Sequence, residues 1–325
     1  QVPGQLPETP RQGRRPGFYE LNPKAAYSLG VDLAHHSTAI LLVDFTGNAV
    51  RKLELEFPSH LSAQGVIDQL LAAIRNVVES AGVDFADILG VGMGAPGVVD
   101  IAGGRVVKYS RLPGMEGIPL RETFAEGLGV PVLLQNNASV IALAENRFGR
   151  ASGRESVVAY LIRTGVGGAF VKEGQLYTSQ GLTAFEVGHT TLNKLREDPS
   201  IPGETLEEIL CEEALIRRVS AADGSVNDLD SLAVCLESGS SDACRTLEPI
   251  AQAFFEHLRN VALMLNPEAF LIIARHSAIA EFFANHLSVR LDATDGDRRY
   301  NVNTVIPLQY DPILACRGAA DLVFD

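Results

Sequence analysis

No two cysteines in this 325-residue chain are spaced C-x-x-C. The four present, Cys211, Cys235, Cys244 and Cys316, therefore suit buried thiols in a reducing compartment better than a thiolate zinc site. No apolar run approaches the roughly 18 residues of a membrane span, and no secretory leader pattern opens the chain. Basic charge is in short supply too: 27 Lys and Arg against 40 Asp and Glu leave a net charge of −13. Such a surface repels nucleic acid over most of its area. The expectation is a cytoplasmic protein with no membrane partner. The chain opens at Gln1 without an initiator methionine, as a processed or truncated N-terminus would.

What is present is a core. Apolar residues make up 46% of the chain among mixed charges, which marks a globular protein, and 325 residues leave room for two domains. Residues 1–17 hold four prolines, three glycines and three arginines, so residues 1–25 are predicted to be a linker or arm with no core of its own. Beyond it, Ala26–Leu33, Thr38–Phe45 and Val50–Phe57 predict three strands, with a hairpin turn at Thr46-Gly47-Asn48. Val66, Leu70, Leu71, Ile74, Val77 and Val78 recur at helical spacing within Leu61–Ala81. Strand Ile88–Met93, helix Leu120–Gly127 and strand Val130–Leu134 follow.

The theme then repeats. Helix Ala138–Phe148 leads to strands Ser156–Ile162 and Gly168–Lys172. Helices are predicted at Leu206–Val219, Asp228–Leu236, Asp242–Leu265 and Ser277–Leu291, a strand at Ala269–Ile273 and a last helix near Ala315–Phe324. Two β-meanders, each running into α/β elements, predict an α/β protein of two similar lobes. The first would take residues 26–135 plus the C-terminal helix, about 311–325; the second would take 136–310. A ligand would sit between them.

The densest chemistry is Glu186-Val187-Gly188-His189, downstream of the glycine-rich turn Arg163-Thr164-Gly165-Val166-Gly167-Gly168. A carboxylate, an imidazole and nearby amides suit a polyol, because each sugar hydroxyl both donates and accepts.

Gly30-Val31-Asp32-Leu33 followed by a strand resembles the start of the two-lobed actin-like ATPase / sugar kinase (ribonuclease H-like) fold. Within it, the chain resembles the ROK (repressor, open reading frame, kinase) family from about Phe18 to its C-terminus. The resemblance implies that Gly94-Ala95-Pro96-Gly97, through Gly97, lines a sugar, and that Ser110–Met115 is a second sugar-side loop. It implies sugar ligands at Asn136, Asn137, Glu186, His189 and Glu207. Asp32, Thr164, Gly165 and Gly167 then read as remnants of phosphate loops.

The departures are as informative. Family kinases follow the first Asp with two glycines and a Thr that wrap ATP phosphates; here the turn is Ala34-His35-His36-Ser37, without the φ > 0 freedom of a phosphate cradle. They carry an Asp base where this chain has Asn137, and an amide cannot accept that proton, although it can bond the same hydroxyl. Arg163 replaces a loop glycine, and the adenosine-side glycine pair is missing near Ala274-Arg275-His276. Family members commonly hold zinc through the His and three cysteines, but Thr190–Thr205 contains none, so neither metal nor other cofactor is expected. Gly13–Gly17 and Leu21-Asn22-Pro23 resemble the linker to a winged helix-turn-helix in ROK repressors. The resemblance therefore implies a non-catalytic sugar sensor from a transcriptional regulator. It would reach DNA only through a winged-helix module outside these residues, and would form a homodimer or homotetramer. The alternative is an ATP-dependent hexose or amino-sugar kinase.

Overall fold

The run Ala39–Val43 is apolar throughout, which fits a strand covered on both faces. The computed structural model describes residues 2–3, 19–34, 37–58, 60–109, 111–179, 181–183, 185–192, 204–294 and 304–324. Most of the predicted arm, the pair His35-His36, Ser110 and residues 193–203 of the cysteine-free segment lie outside the described residues. Within them, β1 (Tyr27–Leu33), β2 (Ser37–Asp44) and β3 (Ala49–Glu56) form an antiparallel meander. After helix α1 (Ala63–Ser80), β4 (Ile88–Ala95) joins β1 in parallel. The hairpin β5 (Val98–Asp100) and β6 (Arg105–Lys108) and helix α2 (Leu120–Leu128) precede β7 (Val132–Asn136), which joins β4 in parallel. The order across this first sheet is β3-β2-β1-β4-β7.

Helix α3 (Asn137–Arg147) leads to a second sheet built on the same plan. β8 (Ser156–Ile162), β9 (Val166–Lys172) and β10 (Gln175–Leu176) make its meander. Helices α4 (Leu206–Leu210), α5 (Glu212–Ala222), α6 (Leu229–Glu237) and α7 (Ser241–Leu265) come before β11 (Ala269–Ala274). Then α8 (Ser277–Thr294) leads to β12 (Thr304–Gln309), and α9 (Pro312–Asp321) follows. The order is β10-β9-β8-β11-β12, again with two parallel strands appended to a meander.

Strand alternation explains the layers. In the first sheet Leu29, Val31, Ile40 and Leu42 face α1 and α2, while Ala39, Leu41 and Val43 pack with Cys316 and Ala320 of α9. In the second, Val158, Tyr160, Ile162, Phe270 and Ile272 face α5, α7 and α8; Val157, Ala159, Leu161, Leu271 and Ile273 face α3 and α9. Helices α9 and α3 thus lie between the sheets. Gly30 and Gly92 let α9 lie directly on the first sheet, since a Cβ at either would fall 1.7 Å from a carbonyl oxygen of Cys316 or Ala319.

Three expectations need correction. The single helix over Leu206–Val219 is two helices, broken where Cys211 takes an extended conformation (φ −66°, ψ 154°). The break lets the Glu212 N–H donate to the Arg163 carbonyl at 2.9 Å. Strand β12 was not anticipated; Pro307 argues against a strand, and it is tolerated because β12 is an edge. Of the four cysteines, Cys211 and Cys316 are buried, but Cys235 and Cys244 are only half-buried.

Candidate functional site

Gly97 starts the site. Its φ is +79° and a Cβ there would fall 2.2 Å from the Lys108 carbonyl oxygen, so the turn after β4 admits only glycine. The Gly97 carbonyl accepts from Asn136 Nδ2 at 2.7 Å, while Asn136 Oδ1 accepts from the Ala138 N–H at 2.8 Å as the N-cap of α3. Asn136 is thereby held in place with one amide N–H left for a ligand. Asn137, the first residue of α3, is half-buried beside it.

The opposite wall comes from the second half. The turn after β8 closes with the Arg163 N–H donating to the Gly165 carbonyl at 2.9 Å. Glu207, in the first turn of α4, accepts from the Val166 N–H at 2.9 Å, which aims its carboxylate at that turn and leaves the other oxygen for a ligand. Glu186 precedes a 3₁₀ turn, Val187–His189, whose Val187 is buried. Phe185 before it sits at φ +72°, an uncommon conformation for a bulky residue. Such strain persists where surrounding structure enforces it, and Glu186 beside it lines the cavity.

The cavity so formed encloses about 150 Å³, roughly the size that holds one small ring. The structure brings Gly97, Asn136, Asn137, Glu186, His189 and Glu207 together around it, and Thr164, Gly165 and Gly167 line it as well. Sequence reasoning missed how the mouth is braced. Arg111 donates through Nη1 to Glu213 Oε1 at 2.8 Å and through Nη2 to the Thr164 carbonyl, tying a first-half loop to the second-half turn. Its place in the sugar-side loop was the available signal; its partner 102 residues away was not. Tyr109 also lines the cavity, its phenol pushed up to about 12 by burial and so neutral. Met115 of the same loop is buried in the core beneath.

Asp32 does not reach this cavity. It lies at the end of β1, 1% exposed, and borders a second cleft with Thr38, Glu54, Glu56, Arg275 and Tyr310. Its Oδ2 accepts from the Tyr310 hydroxyl and lies 3.8 Å from Arg163 Nη1. Burial raises its carboxyl above the usual range, against the opposing pull of Arg163 and Tyr310. The residues near the expected adenosine side are also engaged: Arg275 Nε donates to Glu212 Oε1 at 3.1 Å, and His276 Nε2 lies 2.8 Å from Asp230 Oδ1.

Two sheets of one repeated topology, with a polar cavity between them, make this the actin-like ATPase fold that sugar kinases share with sugar-responsive regulators. The match to the ROK family runs over residues 28–324, and the chain belongs to that family. It is 25% identical over 291 residues to the xylose repressor of Caldicellulosiruptor bescii, covering 85% of this chain and 72% of the repressor. Among solved structures, a ROK family transcriptional regulator, homolog of the E. coli MLC protein, aligns with a TM-score of 0.80 at 16% identity, over 95% of this chain and 81% of that one. A ROK family glucokinase from Streptomyces griseus, in complex with glucose and AMPPNP, aligns with a TM-score of 0.71 at 23% identity, over 91% and 99%. No helix among the described residues is long and apolar enough to cross a membrane.

Proposed function

We propose that this chain is the sugar-sensing part of a ROK-type transcriptional regulator, binding a hexose, amino sugar or related sugar without phosphorylating it. The observation that carries the reading is the cavity itself: Glu186, His189 and Glu207 face Asn136 and Asn137 across it, and Asn137 is an amide where a phosphotransferase needs a base. Glu186 and Glu207 accept from sugar hydroxyls, Asn136 and Asn137 bond ring hydroxyls, and His189 sets orientation. The first lobe, 26–135 with the C-terminal helix, and the second, 136–310, close on the sugar. Closure alters DNA affinity through a winged-helix module in a homodimeric or homotetrameric cytoplasmic protein. The xylose repressor among its relatives supports this reading.

An ATP-dependent sugar kinase is the competing reading, favoured by the glucokinase likeness. One experiment separates them. The purified chain is titrated calorimetrically with a panel of sugars, and each binder is incubated with ATP and magnesium in a coupled assay. Binding that is lost in Glu186→Ala and His189→Ala, with no phosphorylated product, is the expected result. Each lost contact removes roughly 0.5–3 kcal/mol. Sustained phosphorylation, or alanine variants that bind as tightly as wild type, refutes the proposal.

A further inference from the structure

We infer that Arg163 is a resident cation which, with Tyr310, engages Asp32 Oδ2 from within the chain and so excludes a metal–nucleotide from the second cleft. The fold's kinases use such a ligand, and the residues present here do not fit one. A carboxylate that is 1% exposed must be paired. The Arg163 guanidinium supplies the charge, 3.8 Å away and itself only 15% exposed. Tyr310 supplies the hydrogen bond to the same oxygen, and the guanidinium lies 4.3 Å from the centre of its ring. Carboxylate, guanidinium and phenol thus meet at Asp32 Oδ2, while Asp32 Oδ1 and Arg163 Nη1 have no hydrogen-bond partner among the described residues. Magnesium needs near-octahedral oxygen coordination and usually keeps several waters, and a guanidinium already 3.8 Å from this carboxylate repels it.

The charge around the cleft argues the same way. Glu54 and Glu56 line it on the exposed side and repel phosphates. Arg275, a further cation on its lining, is held by Glu212. Asp32 ends the central strand of one sheet and Arg163 follows the central strand of the other, so the pair also joins the two halves. Arg163 is therefore a specificity residue: it keeps the sugar cavity, which it lines, and removes the nucleotide's place. The inference goes beyond the sensor reading and does not depend on which sugar binds.

The test titrates a fluorescent ADP analogue with magnesium into wild type, Arg163→Gly, Arg163→Gln and Asp32→Asn/Arg163→Gln, with circular dichroism to check folding. Wild type should show no saturable, magnesium-dependent binding. Arg163→Gly and Arg163→Gln should gain it by about tenfold or more in apparent affinity, and the double variant should lose it again. The glutamine variant keeps most of the side-chain stem and decides the matter should the glycine variant fail to fold. Wild type binding as tightly as the variants, or folded Arg163 variants with no binding, overturns the inference. Nucleotide binding by wild type without phosphorylation of sugar would overturn this inference alone, whereas loss of sugar binding would refute only the sensor reading.

Discussion

Acidification should weaken this fold through one buried imidazole. His257 on α7 is 7% exposed; its Nδ1 lies 3.2 Å from Thr190 Oγ1, and its ring meets Tyr160 edge-on at 5.7 Å. Nε2 has no hydrogen-bond partner among the described residues, so the site suits a neutral ring. Burial lowers its pKa from 6.5 to about 4. The unfolded chain therefore takes up the proton first. The contribution to stability is whole above pH 6.5, falls as pH drops, and is gone near pH 4. At about 1.36 kcal/mol per pH unit of separation, the loss amounts to about 3 kcal/mol. Urea denaturation of wild type and His257→Gln across this range, at constant ionic strength, isolates the effect. Other groups cancel in the comparison, including Asp32, whose raised carboxyl acts in the opposite sense. The stability gap between the two proteins should narrow by about 3 kcal/mol on acidification. Parallel curves would refute the reasoning, because they would mean that His257 charges freely in the folded state.

Two further substitutions test the frame and the site. Gly92→Ala places a methyl 1.7 Å from the Ala319 carbonyl oxygen, a backbone atom that cannot swing aside. Thermal unfolding should show a loss of about 3 kcal/mol, the upper part of the range for overpacked cores; an unchanged melting temperature would mean that α9 does not lie where described. Asn137→Asp restores a carboxylate at the base position, yet a coupled assay should still detect no sugar phosphorylation. Brisk turnover would show that the nucleotide site survives.

Most of the frame was readable because its signals are local. The first meander follows from β-rich apolar runs and a Thr-Gly-Asn turn, and α1 from apolar residues on one helical stripe. Asn136, Glu186 and His189 each stand in a short ordered motif, which is why they could be named before their neighbours were known. The groups that were missed depend on partners far away in the chain. Arg163 stood out as a residue in place of glycine, but nothing near it pointed to Asp32, or to Tyr310, 278 residues beyond Asp32. The break at Cys211 was hidden because the helical pattern runs through it. What divides α4 from α5 is the tertiary bond from Glu212 to Arg163, and β12 was obscured by a proline that only an edge position excuses.

Helix α9 lies late in the chain, yet it covers a sheet built from the earliest strands. During synthesis the meander of β1 to β3 therefore emerges with one apolar face open, and must wait for more than 250 further residues before its cover arrives. Contacts of such long range slow folding and expose unpaired apolar surface meanwhile. The first half of this chain is thus the part most in need of a chaperone while it is being made, although it leaves the ribosome before the second half.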